Sequence, residues 1–151
     1  VELGKYPLGS ESLNCSAPDT GNMEVLERVG TPEQKAEWLE PLLRGEIRSA
    51  YAMTEPGLPS SDAKNIRTQA VKDGDEYVIN GEKTWCTFAG RADVFILLAR
   101  TGTPEEGAKG LTLFLVEKPA KISTDDHHSF RHEQEGGGVV DVEPVLAGAQ
   151  L

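Results

Sequence analysis

The sequence predicts an α+β fold: a mostly antiparallel, β-barrel-like domain preceded by a short helical segment. Three observations lead there. Helix start and stop signals are confined to the first 45 residues. Two nearly continuous apolar runs, Val94–Ala99 and Leu111–Val116, read as strands buried on both faces. Between the helical part and those runs lie the turn signals Asp73-Gly74 and Asn80-Gly81, each flanked by apolar stretches.

Taken in order, Asp19-Thr20 offers an N-cap. Met23, Val25, Leu26 and Val29 share a helical side, and Gly30 stops it. Thr31-Pro32-Glu33-Gln34 then places a capping hydroxyl, a proline at the first helical position and a glutamine at the third. Ala36, Trp38, Leu39, Leu42 and Leu43 supply the apolar face. Pro41 bends or shortens this helix, and Gly45 ends it. Ile47 to Met53 reads as a strand entering a loop from Thr54 to Asp62, where two prolines and a glycine exclude regular structure. Strands follow over Ile66–Val71 and Glu76–Ile79, and Asn80-Gly81 leads as a type I′ turn into Lys83–Cys86. The polar stretch Thr101–Lys109 joins the two buried strands, with Glu105-Glu106 at its tip. Val139–Val145 offers one more strand after the uninformative Gly136-Gly137-Gly138. Domain boundaries fall at 1–46 for the helical part and 47–151 for the β part.

Composition narrows the function. The 151 residues include 16 glycines and 9 prolines, which suits a turn-rich sheet protein. With 15 basic and 25 acidic residues the formal net charge is −10, a surface that phosphate backbones repel, so nucleic acid is an unfavourable partner. No apolar stretch approaches the roughly 20 residues of a membrane helix. The opening Val1-Glu2-Leu3-Gly4-Lys5 reads as neither signal peptide nor initiation site, so a start inside a longer protein is expected. Cys15 and Cys86 lack metal-ligand spacing and read as reduced thiols. His127, His128 and His132 lie among acids, but their spacing matches no metal site, and a solvated loop is the plain reading.

Two segments carry possible chemistry. In the 54–62 loop, small and hydroxyl residues crowd a turn whose backbone N–H groups can converge on a carbonyl edge or a phosphate. It is neither a Walker loop nor a dinucleotide fingerprint, and on residues alone it reads first as a structural turn. In Asn80 to Thr87, a strand tryptophan, Trp85, next to a threonine offers a flat apolar wall and a hydroxyl to a planar heterocycle. A lone strand tryptophan is more often core.

Together the two segments resemble the acyl-CoA dehydrogenase family. The resemblance runs through Tyr51-Ala52-Met53-Thr54-Glu55-Pro56-Gly57, Ser61-Asp62, and Tyr77-Val78-Ile79-Asn80-Gly81-Glu82-Lys83-Thr84-Trp85. It continues in one block of Ala92-Asp93 followed by an apolar strand and Ala99-Arg100-Thr101, and in Gly110–Glu117, which makes five blocks in order over residues 51–117. Leu13 to Leu26, and the extra residue in Pro56-Gly57-Leu58-Pro59-Ser60-Ser61-Asp62, resemble the branch that includes family members 10 and 11.

The resemblance implies FAD as cofactor, acyl-CoA as substrate, and an electron-transfer flavoprotein or another electron acceptor. It also implies a homodimer or homotetramer, and a fragment of a three-domain enzyme. Residues 1–46 would end the N-terminal helical domain, and the central β-domain would be incomplete at its C-terminal end. Tyr51, Met53 and Thr54 would approach the flavin pyrimidine edge. Ser60 and Ser61 belong to the same cofactor segment, Ser61 near the pyrophosphate and the substrate. Trp85, Cys86 and Thr87 form the second segment, with Trp85 against the ring system and Thr87 near flavin N5. Cys86 and Phe88 replace the commoner Ile and Asn. The family's general base is a glutamate of the C-terminal helical domain, so no catalytic residue is assigned here. Glu55, in its Pro-bounded turn, is read as a loop anchor.

Two other readings remain: a non-catalytic flavin or CoA-binding module of the same fold, and a flavoenzyme of that fold acting on another substrate such as a nitroalkane. The expected compartment is the cytoplasm of a bacterium, or the mitochondrial matrix or peroxisome of a eukaryote.

Overall fold

The structure is a computed structural model describing residues 2–6, 8–117, 129–131, 139–140 and 142–146. Helix α1 spans Asp19–Val29. A second helical stretch runs as α2 (Pro32–Gln34), a π-helical segment (Lys35–Leu39) and α3 (Glu40–Leu43). Its start is the expected capping box: the Gln34 N–H donates to Thr31 Oγ1 at 3.2 Å, and the Thr31 N–H donates to Gln34 Oε1 at 3.1 Å. At Pro41 the helix does not stop: a widened π turn precedes the proline, which sits in the first turn of α3, and the helix runs on to Leu43. Gly45, at φ 69°, closes the stretch. The N–H groups of Gly45 and Glu46 return to the carbonyls of Leu42 and Pro41, a Schellman ending.

The strands are β1 (Ser49–Ala52), β2 (Gln69–Asp73), β3 (Glu76–Asn80), β4 (Glu82–Thr84), β5 (Val94–Arg100) and β6 (Leu111–Glu117). Three shorter ones follow: β7 (Ser129–Arg131), β8 (Val139–Val140) and β9 (Val142–Leu146). The large sheet has the order β8-β3-β2-β5-β6-β9, with β1 also on β5, while β4 and β7 form a separate pair. Pairing is mixed. β5 and β6 run antiparallel over all seven residues, but β1 and β2 both meet β5 in parallel. The β-barrel-like expectation needs correction: among the described residues the sheet is open. The late strand expected over Val139–Val145 is divided, with β8 on β3 and β9 on β6. The histidine group at 127–132 and the triple glycine lie outside the described residues.

β5 explains why that run is apolar throughout. Val94 and Ile96 face Met23, Leu26, Leu39 and Leu42 of the helices. Phe95, Leu97 and Ala99 face the other way, toward Phe114, Val116 and the small residues Ala50, Ala52, Cys86, Ala89 and Ala92. Burying each large side chain contributes about 1.5–3 kcal/mol, so this strand anchors both layers. Helix α1 is tied to β1 by polar contacts as well. The Asp19 carboxylate accepts from the Ser49 N–H and hydroxyl and from Arg48, at 2.7–2.8 Å. Asp19 is therefore the first residue of the helix, with Pro18 at the cap position, rather than a cap itself.

The turn at Gly74-Asp75 makes β2 and β3 a tight hairpin, as the Asp73-Gly74 signal suggests. Asn80-Gly81 does not. No type I′ turn forms; the chain continues extended and leaves the large sheet for β4. Gly81 serves a different purpose there, because a Cβ on it would lie 2.3 Å from Thr68 Oγ1 and 2.7 Å from Thr68 Cβ. Gly81→Ala is accordingly expected to destabilise the fold by roughly 1–3 kcal/mol through overpacking. Gly90→Ala, with open space around the new methyl, should leave the urea unfolding midpoint nearly unchanged. Equal shifts for the two variants would contradict the steric account.

Candidate functional site

The site is built where the end of β1 meets the end of β4. Beyond Ala52 the chain leaves the large sheet, and its first residues are held by the second one. The Thr84 N–H donates to the Thr54 carbonyl at 2.8 Å, and the Thr54 hydroxyl donates to the Thr84 carbonyl. Lys83 passes beneath them. Its ammonium donates to the Met53 carbonyl at 2.9 Å and to Glu55 Oε1 at 2.8 Å, with the side chain only 1% exposed. The Glu55 carboxylate also accepts the N–H groups of Arg67 (2.8 Å) and Thr68 (2.9 Å).

Burial pushes the Glu55 carboxyl up. The Lys83 ammonium and the Arg67 and Thr68 donors outweigh it and hold the group below the ordinary carboxyl value. Burial pulls the Lys83 ammonium the opposite way, down from its ordinary value, with Glu55 opposing. Of the two, the carboxylate shift decides the charge state, because backbone N–H donors cannot titrate away. The loop-anchoring part read for Glu55 is what these bonds describe.

Trp85 follows β4 in the left-handed region, at φ 57°. That conformation costs a non-glycine residue about 1–2 kcal/mol. It turns the indole outward, leaving Trp85 72% exposed. The strand tryptophan is therefore not core. Beyond it the chain alternates. Cys86, Ala89 and Ala92 are buried against the sheet, while Thr87, Gly90 and Arg91 are exposed. The small buried residues let this segment lie close on the sheet, and the exposed ones rim a cleft of about 520 Å³ with Trp85.

The expected site residues thus divide. Trp85 and Thr87 line the cleft, and Thr54 is bonded to Thr84, the residue before Trp85. Met53 is half-buried against Ile66, Leu98 and Leu111, and no residue of the 51–61 segment lines the cleft. Tyr51 is half-buried against the helix-side core, and burial raises its phenol pKa. The Cys86 side chain points inward, 4% exposed, and desolvation lifts its thiol to about 11. Ser60 is buried, and its hydroxyl is engaged by the loop itself, accepting from the Glu55 N–H at 2.6 Å. Ser61 is exposed on the loop surface. The far part of the loop, Leu58-Pro59, turns to another cleft of about 490 Å³ beside Arg67 and Arg100.

Two residues escaped the sequence reading. Lys83 stands between polar Glu82 and Thr84, so no apolar alternation in the sequence marks it as inward, although it is the buried residue of β4. Arg100 is buried and donates to the carbonyls of Lys64, Ile66, Thr103 and Gly107, clamping two loops. No local pattern announces such a clamp. Among the described residues no cluster of His, Cys, Asp or Glu could hold a metal ion, and no helix is long and apolar enough to cross a membrane.

The acyl-CoA dehydrogenase middle-domain family model matches residues 50–136, which contains both halves of this junction. The chain belongs to the acyl-CoA dehydrogenase family. Acyl-CoA dehydrogenase family member 11 from Homo sapiens is 52% identical over 102 residues, 66% of this chain and 13% of that protein. The solved structure of a candidate acyl-CoA dehydrogenase from Mycobacterium abscessus superposes with a TM-score of 0.71 at 40% identity, covering 95% of this chain and 37% of that one. Butyryl-CoA dehydrogenase from Megasphaera elsdenii gives 0.61 at 34% identity, over 66% of this chain and 26% of that one. The first curated relatives are longer proteins, of which this chain spans 13% to 27%.

The ion pair sets a pH signature. Because the Glu55 pKa is depressed on folding, its contribution is present above the unfolded value of about 4.3 and is lost as pH falls through the folded value. Urea unfolding of wild type and Glu55→Gln from pH 7 to pH 3 should show a wild-type advantage at neutrality that shrinks below about pH 4.3. A gap independent of pH would mean that the carboxylate charge contributes nothing.

Proposed function

We propose that this chain is the flavin-facing middle part of an FAD-dependent acyl-CoA dehydrogenase. One observation carries the reading: the Thr54–Thr84 hydrogen bonds join two motif segments 30 residues apart, next to an outward-turned Trp85. The donor set fits an isoalloxazine. Trp85 offers a flat apolar face for the ring system. Thr87 offers a neutral hydroxyl donor, while the Thr54 hydroxyl, its proton committed to the Thr84 carbonyl, fixes the 53–55 segment beside it. Fixed donors of this kind stabilise negative charge that develops on a ring without placing a full charge beside it. Ser61 is assigned to the pyrophosphate and acyl-CoA side of the same loop.

FAD supplies hydride acceptance at N5 from the acyl β-carbon. This chain's residues bind and orient the ring, and the removal of the α-proton is assigned to no residue among the 151. In the whole protein the reading implies acyl-CoA as substrate and an electron-transfer flavoprotein or another acceptor. It also implies a homo-oligomeric assembly, located in the bacterial cytoplasm or in a eukaryotic mitochondrial matrix or peroxisome.

The test is a titration of the purified chain with FAD, read by flavin fluorescence. Binding is expected to be saturable but weak, since an open cleft recovers little contact area against the freedom lost on association. Trp85→Gly keeps the left-handed backbone without steric cost, so stability should hold. The lost stacking, roughly 1–3 kcal/mol, should weaken FAD about five- to 150-fold. No acyl-CoA turnover is expected with an artificial electron acceptor. Unchanged FAD affinity in Trp85→Gly would overturn the placement of the ring.

A further inference from the structure

We propose that Lys83 is a positioning residue for the flavin: its ammonium fixes the Met53–Glu55 segment against β4, so that Thr54 and Trp85 meet the ring together. The inference rests on the reading of the site given above. It starts from an economy that is otherwise hard to explain. A lysine 1% exposed and a glutamate 5% exposed face each other at 2.8 Å, in a position where a pair of apolar side chains would hold the sheets together at least as well. What apolar residues could not do is bond the main chain.

Lys83 donates to the Met53 carbonyl as well as to the carboxylate. The same carboxylate reaches the Arg67 and Thr68 N–H groups across the loop. The 53–55 segment is therefore held at both ends, on the Met53 carbonyl and on the Glu55 side chain, with Thr54 between them. On the other side, Lys83 is two residues from Trp85, so the constraint reaches the ring wall through one dipeptide. Thr54 and Trp85 are the two groups whose separation a planar ligand would measure. Neither touches the ammonium, which is why the role is one of positioning.

Three variants separate this from a merely structural part: Lys83→Met, Glu55→Gln, and the double Glu55→Gln/Lys83→Met. The single substitutions leave a buried polar group without its partner and should lower the unfolding midpoint. The double variant removes both charges while an amide oxygen at position 55 still accepts from the loop N–H groups, and its midpoint should return toward wild type. Flavin affinity and the limiting quenching of FAD fluorescence at saturation are then measured on each at a temperature where all are folded. Quenching at saturation reports the geometry of bound flavin against Trp85, not the amount of folded protein.

If Lys83 positions the site, the double variant regains stability but still binds FAD at least about tenfold more weakly, with less quenching of the bound ring. If FAD affinity and limiting quenching return with stability, the pair is structural and the inference is overturned. Wild type that does not bind FAD at all overturns the flavin reading itself, and the inference with it. Wild type that binds while all three variants match it in affinity and quenching overturns the inference alone.

Discussion

Charges removed from water are costly unless every lone pair and proton finds a partner. Here the Lys83 ammonium and the Glu55 carboxylate meet most of that demand together, the ammonium donating also to the Met53 carbonyl and the carboxylate accepting also from the Arg67 and Thr68 N–H groups. The consequence is geometric. β1 belongs to the large sheet and β4 to the small one, and this pair is the polar link between the end of the first and the middle of the second. A loop with two prolines and a glycine has no ladder of its own to hold it. Fastened by Glu55, it becomes a fixed surface.

The rest of the fold keeps that link in register. β5 is buried on both faces and supports β1 along four residue pairs, from Ser49–Val94 to Ala52–Leu97. Asp19 and Asn22 of α1 grip the start of the same strand through Ser49 and Ala50. On the opposite layer, Cys86, Ala89 and Ala92 press the segment after Trp85 onto the sheet. Arg100 performs a similar service at the other end of β5, drawing together the 64–66 and 103–107 loops. Packing thus delivers two irregular segments to one place, and polar bonds lock them there.

Much of this was legible before any coordinates. The Thr31–Gln34 capping box, the Gly45 stop and the double-sided burial of Val94–Ala99 are local patterns with local causes, and each stands in the structure as read. The family resemblance was legible for a different reason: its five blocks carry an order that single turns and strands do not. What failed was long-range. Asn80-Gly81 has the residues of a type I′ turn, but the chain passes straight on, and the space a Cβ of Gly81 would fill is taken by Thr68, thirteen positions upstream. Pairing of β1 and β2 in parallel on β5 leaves no mark in either strand. Trp85 was placed more often in the core by its type, and only a positive φ turns it out. Lys83 looks like a surface lysine until Glu55 is brought beneath the same carbonyl.

The account stands or falls on where flavin sits. Nuclear Overhauser contacts between added FAD and the isotope-labelled chain would locate the ring directly. The account predicts contacts from isoalloxazine protons to the Trp85 indole and to Thr54 and Thr87, with the Thr84 amide shifted on binding. Contacts confined to the cleft beside Arg67 and Arg100, with Trp85 and Thr54 silent, would contradict it.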